Sequence, residues 1–252
     1  VNRYVALGSS MAAGPGIRPL AAGAPRVAGR SARNYPRLVA HALGLDLVDV
    51  TFSGATTAHL LSERQLGVPP QIETLDGSET LVTITIGGND VGYVPLLMGA
   101  TLPGLFRRLP AVAELLDPGL REQALSEVEP ALQAVGAAVR SRSPRARVIF
   151  VDYLTLLPPA GERAGRLPED VVHLARHVAD GLQRCTAAAA ATTGCELVRA
   201  GVASREHHPW SAQPWTVGPG LPLPWRPWPF HPNAAGMAAV AGLVAMSCGG
   251  RA

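Results

Sequence analysis

The chain contains no lysine; all 22 of its basic residues are arginine. This is a coding bias, not a recognition device, because the arginines are scattered. Their one local cluster, Arg140, Arg142, Arg145 and Arg147, closes a predicted helix, where cations suit the negative end of the dipole. A sustained basic face with interleaved aromatics is missing, so a net charge of +3 and a pI near 9.1 do not point to nucleic acid as a partner. Long apolar runs are missing too. The mean hydropathy is +0.16, yet no run reaches the ~18–20 residues that a membrane-spanning helix requires. The alanine run at 187–191 is flanked by Arg184 and by threonines and reads as helix filler. Cysteine is sparse and odd in number, with Cys185, Cys195 and Cys248, which excludes a disulfide framework. A Cys185–Cys195 bridge and free thiols both stay open, and the redox compartment with them. No charged segment followed by an apolar run opens the chain, so no signal peptide is visible. The cytoplasm is the favoured compartment on that ground, although a leader removed ahead of Val1 would leave the same sequence. Finally, no Asp or Glu occurs after Glu206.

What is present is enough for one sizeable core: 252 residues, 47% of them hydrophobic, with a single domain over 1–252 as the expectation. Strand-like apolar runs alternate with helical patterns, the signature of a parallel α/β sheet. Strands are predicted at 3–8, 45–51, 80–86, 146–152 and 195–199. Little alternation is visible in 80–86 or 146–151, as befits strands buried on both faces. Helices are predicted at about 34–43, 55–61, 121–142, 169–191 and 233–246. Asp117-Pro118-Gly119 and Pro232 provide start signals for two of them. Two segments read as irregular, 92–119 and 203–230; the second carries seven prolines and all four tryptophans. A long proline-rich loop in a compact domain is usually functional when it is not disordered, and tryptophans, which bury large apolar area, argue against disorder. This loop leads into His231 and is expected to wall the substrate site, with Trp210, Trp215, Trp225 and Trp228 as candidate substrate contacts.

Ligand-binding residues in such sheets collect at the carboxyl ends of the strands. Four motifs fall on that one edge. Gly8-Ser9-Ser10 follows strand one, Ser53-Gly54-Ala55-Thr56 follows strand two, Gly87-Gly88-Asn89-Asp90 follows strand three, and His231-Pro232-Asn233 lies beyond strand five. A hydroxyl is a poor nucleophile until a base within hydrogen-bond reach takes its proton. Ser10 and His231 are those two parts, and Gly54 and Asn89 offer donors for a developing oxyanion. Asp90 reads as structural, either capping a helix or bracing the Asn89 loop. His173 and His177 are four apart on a predicted helix, a spacing that permits metal binding, but no Glu follows His173 as in H-E-x-x-H, and a solvated helix face is the better reading.

The blocks Tyr4-Val-Ala-Leu-Gly-Ser-Ser10, Gly54, Gly87-Gly88-Asn89-Asp90 and His231-Pro-Asn-Ala-Ala-Gly236 resemble those of the SGNH (GDSL-type) hydrolases, in order and over most of the chain. The resemblance implies a flavodoxin-like α/β/α three-layer sandwich with a sheet of about five parallel strands. It implies hydrolysis of carboxylic esters or thioesters without metal or organic cofactor. It also implies Ser10 as nucleophile, His231 as base, and an oxyanion hole from the N–H groups of Ser10 and Gly54 with the Asn89 amide. Two departures stand out. Ser9 occupies the place of the family's usual aspartate, and Trp228 stands three residues before the histidine where an orienting aspartate is usual. With no carboxylate nearby in sequence, a backbone carbonyl near Trp228 is expected to accept from Nδ1. A neutral acceptor gives up roughly 1–2 kcal/mol against a charged one, about tenfold in rate, and leaves the imidazole near the ~6.5 of free histidine. The expected function is therefore an esterase or lipase acting on a small-molecule acyl ester. Acyl transfer from the same acyl-enzyme, and a degenerate fold serving as a binding module, are the alternatives. Substrate identity and oligomeric state are not written in these motifs.

Overall fold

A computed structural model describes residues 2–223 and 225–249; within the 203–230 segment Pro224 alone lies outside them. Five strands, β1 (Arg3–Gly8), β2 (Asp46–Asp49), β3 (Glu79–Thr85), β4 (Arg147–Val151) and β5 (Glu196–Val198), form one sheet in the order β2-β1-β3-β4-β5. Every pairing is parallel. This is the doubly wound, flavodoxin-like order, and each strand falls where the sequence pattern puts it.

The weak alternation along the strands has a direct cause. Val5, Leu7, Val82, Ile84, Val148 and Phe150 face one core, while Tyr4, Ala6, Leu81, Ile149 and Val151 face another. Both faces are thus apolar and buried. The helices in chain order are α1 (Ser10–Ala13), α2 (Tyr35–Leu43), α3 (Thr57–Leu61), α4 (Tyr93–Ala100), α5 (Pro110–Leu115), α6 (Pro118–Arg142), α7 (Glu169–Thr193), α8 (Ala200–Ala203) and α9 (Ala234–Ser247). The long pair α6 and α7 covers the first face through Leu125, Val128, Leu132, Val178 and Leu182. The α2–α9 pair covers the second through Val39, Val240 and Val244. The three-layer sandwich follows. No helix among the described residues is long and apolar enough to cross a membrane, and Cys185, Cys195 and Cys248 are free thiols.

The segment 92–119 is not irregular as expected: it holds α4 and α5. Pro95 sits in the first turn of α4 and Pro110 opens α5, positions where a missing N–H costs nothing. The same logic places Pro118 at the start of α6, capped by Asp117, whose carboxylate accepts from the Leu120 N–H at 2.9 Å.

At its carboxyl end β1 runs tight against β3. A Cβ on Gly8, which has φ +150°, would meet the Thr85 carbonyl oxygen at 2.5 Å. The buried Gln71 side chain brackets the same residue: its Oε1 accepts from the Gly8 N–H at 2.7 Å and its Nε2 donates to the Gly8 carbonyl at 3.0 Å. Gly44, the left-handed residue after α2, has open space where its Cβ would go. Gly8→Ala is therefore expected to cost about 2–3 kcal/mol, combining strain with a clash against backbone. Gly44→Ala carries the conformational term alone, about 1 kcal/mol. Urea denaturation of both variants measures the difference.

Candidate active site

Four loop connections at the sheet's carboxyl edge bring the separate motifs together. Ser10, the first residue of α1, is only 6% exposed, and its Oγ lies 2.8 Å from His231 Nε2. The Phe52 N–H donates to the Gly8 carbonyl at 2.9 Å, tying the loop after β2 to the end of β1. Asn89 Nδ2 donates to the Ala55 carbonyl at 2.7 Å, which ties the loop after β3 to the Gly54 loop. The Asp90 carboxylate accepts from the Thr57 N–H at 3.0 Å and from the Thr57 hydroxyl at 2.5 Å, so it caps α3 from another loop.

These ties leave donors over. A side-chain amide has two N–H groups, and Asn89 spends one on Ala55. Among the described residues neither the Ser10 N–H nor the Gly54 N–H has a hydrogen-bond partner, although the Ser53 and Ala55 N–H groups beside Gly54 are both engaged. Gly54 adopts φ +80°, and a Cβ there would meet nothing nearer than Gln65 Nε2 at 3.6 Å. The demand for glycine is thus the left-handed backbone that turns this N–H, not lack of space.

The histidine end corrects one expectation. Nδ1 of His231 is 2.8 Å from the carbonyl of Pro229, not that of Trp228. The Trp228 carbonyl instead accepts from the His231 backbone N–H at 3.2 Å, closing a four-residue turn. Pro229 is the second residue of that turn, and Phe230, the third, has φ +55°, which is the type II arrangement. The turn consumes the first carbonyl and leaves the second for the imidazole. Phe230 is fully buried, and its N–H donates to Val217 O at 2.8 Å. The turn is anchored to the Ser10 side as well, since the Trp228 N–H donates to Pro15 O at 3.2 Å and a Cβ on Gly16 would overlap the Arg226 carbonyl. A left-handed phenylalanine costs about 1–2 kcal/mol, and such strain gathers where geometry is functional.

Burial changes a second expectation. No carboxylate pairs with His231 among the described residues, but the ring is only 5% exposed. Burial lowers its pKa from the ordinary 6.5 to about 4, and the Pro229 carbonyl offsets this only in part. The imidazole is thus neutral at pH 7 and able to accept a proton from Ser10.

The tryptophans divide. The Trp228 ring meets His231 edge-on with centroids 5.9 Å apart. Trp210 and Trp215, expected as substrate contacts, are taken up in packing. Trp210 lies on the α6–α7 core with its indole over Gly165. Trp215 stacks on His207 at 4.0 Å and packs on the α2–α9 core. Trp225 is exposed. His177 Nε2 is 2.7 Å from Glu122 on the neighbouring α6, and the described residues contain no group of three or more ligating side chains suited to a metal.

Sequence reasoning missed Tyr153. Its hydroxyl lies 3.0 Å from Ser9 Oγ and accepts from the Gly88 N–H at 3.0 Å. A Cβ on Gly88 would meet this ring at 2.5 Å, so the glycine makes room for the phenol. Tyr153 follows β4, the one carboxyl end of the first four strands to which no motif had been attached. Edge position was the signal that could have found it.

The geometry agrees with three comparisons. The family model of the GDSL-like lipase/acylhydrolase family matches residues 6–239. The chain belongs to that family. It is a carboxylic ester hydrolase of the esterase–lipase type. It is 31% identical to Lipase 2 of Streptomyces coelicolor over 250 aligned residues, covering 92% of this chain and 81% of that one. The crystal structure of the extracellular lipase of Streptomyces rimosus superposes with a TM-score of 0.81 at 26% identity, over 98% of this chain and 99% of that one. Phospholipase A1 of Streptomyces albidoflavus gives 0.79 at 25% identity, over 98% of each chain.

Tyr153→Phe removes the acceptor of a buried N–H, a loss of about 1–3 kcal/mol in fixing the Ser9 and Gly88 loops. For this GDSL-like enzyme, kcat on a soluble ester is expected to fall about tenfold with KM unchanged. Steady-state kinetics beside a thermal melt separates this from general unfolding.

Proposed function

We propose that the protein hydrolyses carboxylic esters of apolar acyl chains through an acyl-enzyme on Ser10. The Ser10 oxygen attacks the acyl carbonyl while His231 Nε2 takes its proton. The tetrahedral oxyanion is held by the N–H groups of Ser10 and Gly54 and by the free N–H of the Asn89 amide. The C–O bond to the alcohol then breaks, and the proton on His231 passes to the leaving oxygen. A water molecule, deprotonated by the same ring, attacks the acyl-enzyme and releases the acid. The Pro229 carbonyl is a positioning group: it accepts from Nδ1–H and so presents the lone pair of Nε2 to Ser10.

The observation that carries this reading is the 2.8 Å approach of Ser10 Oγ to His231 Nε2 with Nδ1 already bound on its far side. The names of the relatives, two lipases and a phospholipase A1, support an apolar acyl group. Hydrolysis is preferred to acyl transfer because it needs no second organic substrate. A binding module would have no use for a buried neutral imidazole aimed at a hydroxyl.

Three outcomes test the proposal. A fluorophosphonate labels the protein, and Ser10→Ala abolishes the label; labelling that persists in Ser10→Ala sinks the assignment. Asn89→Ala lowers kcat on p-nitrophenyl esters by about 10²–10³. The pH profile follows from the lowered pKa of His231. The base works only when neutral, a state held above the folded pKa, so activity is full at neutral pH and lost as pH falls through about 4. A stopped-flow acylation profile whose acid limb lies near 7 would contradict the buried, carboxylate-free base.

A further inference from the structure

Behind Tyr153, on the α7 side of the sheet, lies a cavity of about 430 Å³. That volume is in the ~300–1,000 Å³ range of small-molecule sites. Neither Ser10, Asn89 nor His231 lines it. Its floor is apolar, made by Leu156 and Leu157 after β4 and by Ala179 and Leu182 of α7. Its polar lining is mixed, with three carboxylates, two arginines, Gln183 and four hydroxyls, of which those of Tyr153, Thr155 and Thr186 are already bonded within the protein. Tyr93 lines the cavity and is only 2% exposed, and its hydroxyl has no hydrogen-bond partner among the described residues. The exposed Asp180, whose negative charge acts on Tyr93, and the buried Asp152 are two of its carboxylates. Asp152 spends one oxygen on the Gly201 N–H at 2.8 Å.

The Tyr93 hydroxyl is not sealed off but opens onto the cavity, where whatever fills the space can complete it. The carboxylates beside it accept hydrogen bonds and repel anions. The cations at the rim do not reverse this. Arg176 donates to the carbonyls of Pro158, Pro159 and Glu162, and the exposed Arg205 is offset by Glu206 next to it. We propose that this cavity is a second ligand site, separate from Ser10, for a single-chain amphiphile whose head donates hydrogen bonds: an alcohol or an amine, not a carboxylate. The apolar floor takes the chain; Tyr93, Asp152 and Asp180 take the head. The site does not depend on what Ser10 does.

Calorimetric titration of Ser10→Ala, in which no acyl chemistry intervenes, tests it with octan-1-ol, octylamine and octanoate. The alcohol or the amine is expected to bind at submillimolar concentration, and octanoate at least tenfold more weakly. Tyr93→Phe, which removes one oxygen without a partner and keeps the ring, is expected to weaken binding about tenfold. Ala179→Trp, which fills the floor, is expected to abolish it. If Ala179→Trp does not fold, Tyr93→Phe decides alone. Absence of binding by both donors, octanoate as tight as either, or affinity unchanged in Tyr93→Phe overturns the proposal. So does binding that a fluorophosphonate on Ser10 of the unmodified enzyme blocks, because the ligand would then sit at Ser10.

Discussion

The hydrogen bond between Ser10 and His231 is the contact on which the other features of the site depend. Its two ends are 221 positions apart in sequence and meet at 2.8 Å in a buried setting. Neither residue sits on a long element. Ser10 opens a four-residue helix, and His231 ends a tight turn. Such a contact survives only if short loops are held by something stiffer than themselves. The sheet supplies that stiffness on one side, through the close approach of Gly8 to Thr85 and the Gln71 bracket. On the other side the turn at 228–231 is held from two directions: Val217 engages Phe230 and His231 in a short antiparallel contact, and Pro15 receives the Trp228 N–H. The anchor at Pro15 matters most, because it belongs to the loop that follows Ser10. His231 is thus referenced to the segment that follows Ser10 and not merely to the body of the domain.

The Gly54 and Asn89 side is organised in the same way, by ties between neighbouring loops. Asn89 reaches Ala55, Asp90 reaches Thr57, and Tyr153 reaches both Ser9 and Gly88. The Asn89 tie uses one N–H of the amide and leaves the other over, beside the Ser10 and Gly54 N–H groups, which have no partner among the described residues. Preorganised donors cost no reorganisation when charge develops. Tyr153 lies at the centre of this scheme, with its hydroxyl between the Ser9-Ser10 loop and the Asn89 loop.

Much of this was legible in the sequence, and the failures have physical causes. All five strands were readable because apolar β-rich runs separated by turn residues have few other interpretations. Ser10, Gly54, Asn89 and His231 could be grouped because the parallel sheet sends every strand end to one edge. α4 and α5 were not predicted within 92–119, although the prolines each carries, Pro95 and Pro110, sit in a first helical turn, which accepts proline. The carbonyl on Nδ1 was placed one residue early. The correct answer depends on Phe230 entering the left-handed region, which is disfavoured for a large side chain and is imposed here by the packing of its ring. The imidazole's pKa was misjudged because sequence reports the missing anion but not the missing water. Tyr153 was passed over because a tyrosine after a strand is ordinary until Gly88 is known to lie against it.

The two departures from the family pattern are physically related. Ser9 stands where an aspartate is usual, and the residues before His231 offer only carbonyls. Both positions are deeply buried: Ser9 is 1% exposed and His231 5%. A carboxylate at either place would have to shed its hydration, at several kcal/mol unless fully paired. The chain instead completes both contacts with neutral groups, Tyr153 for Ser9 and the Pro229 carbonyl for His231. Of the motif carboxylates only Asp90 remains, and it is engaged with α3. In the proposed mechanism the electrostatics around Ser10 therefore rest on backbone and amide N–H dipoles and on one imidazole that stays uncharged until it takes the serine's proton. Such a site has less with which to stabilise the transient imidazolium. It also keeps its base neutral across the whole range in which a carboxylate-paired histidine, with its raised pKa, would begin to hold a proton in the resting enzyme.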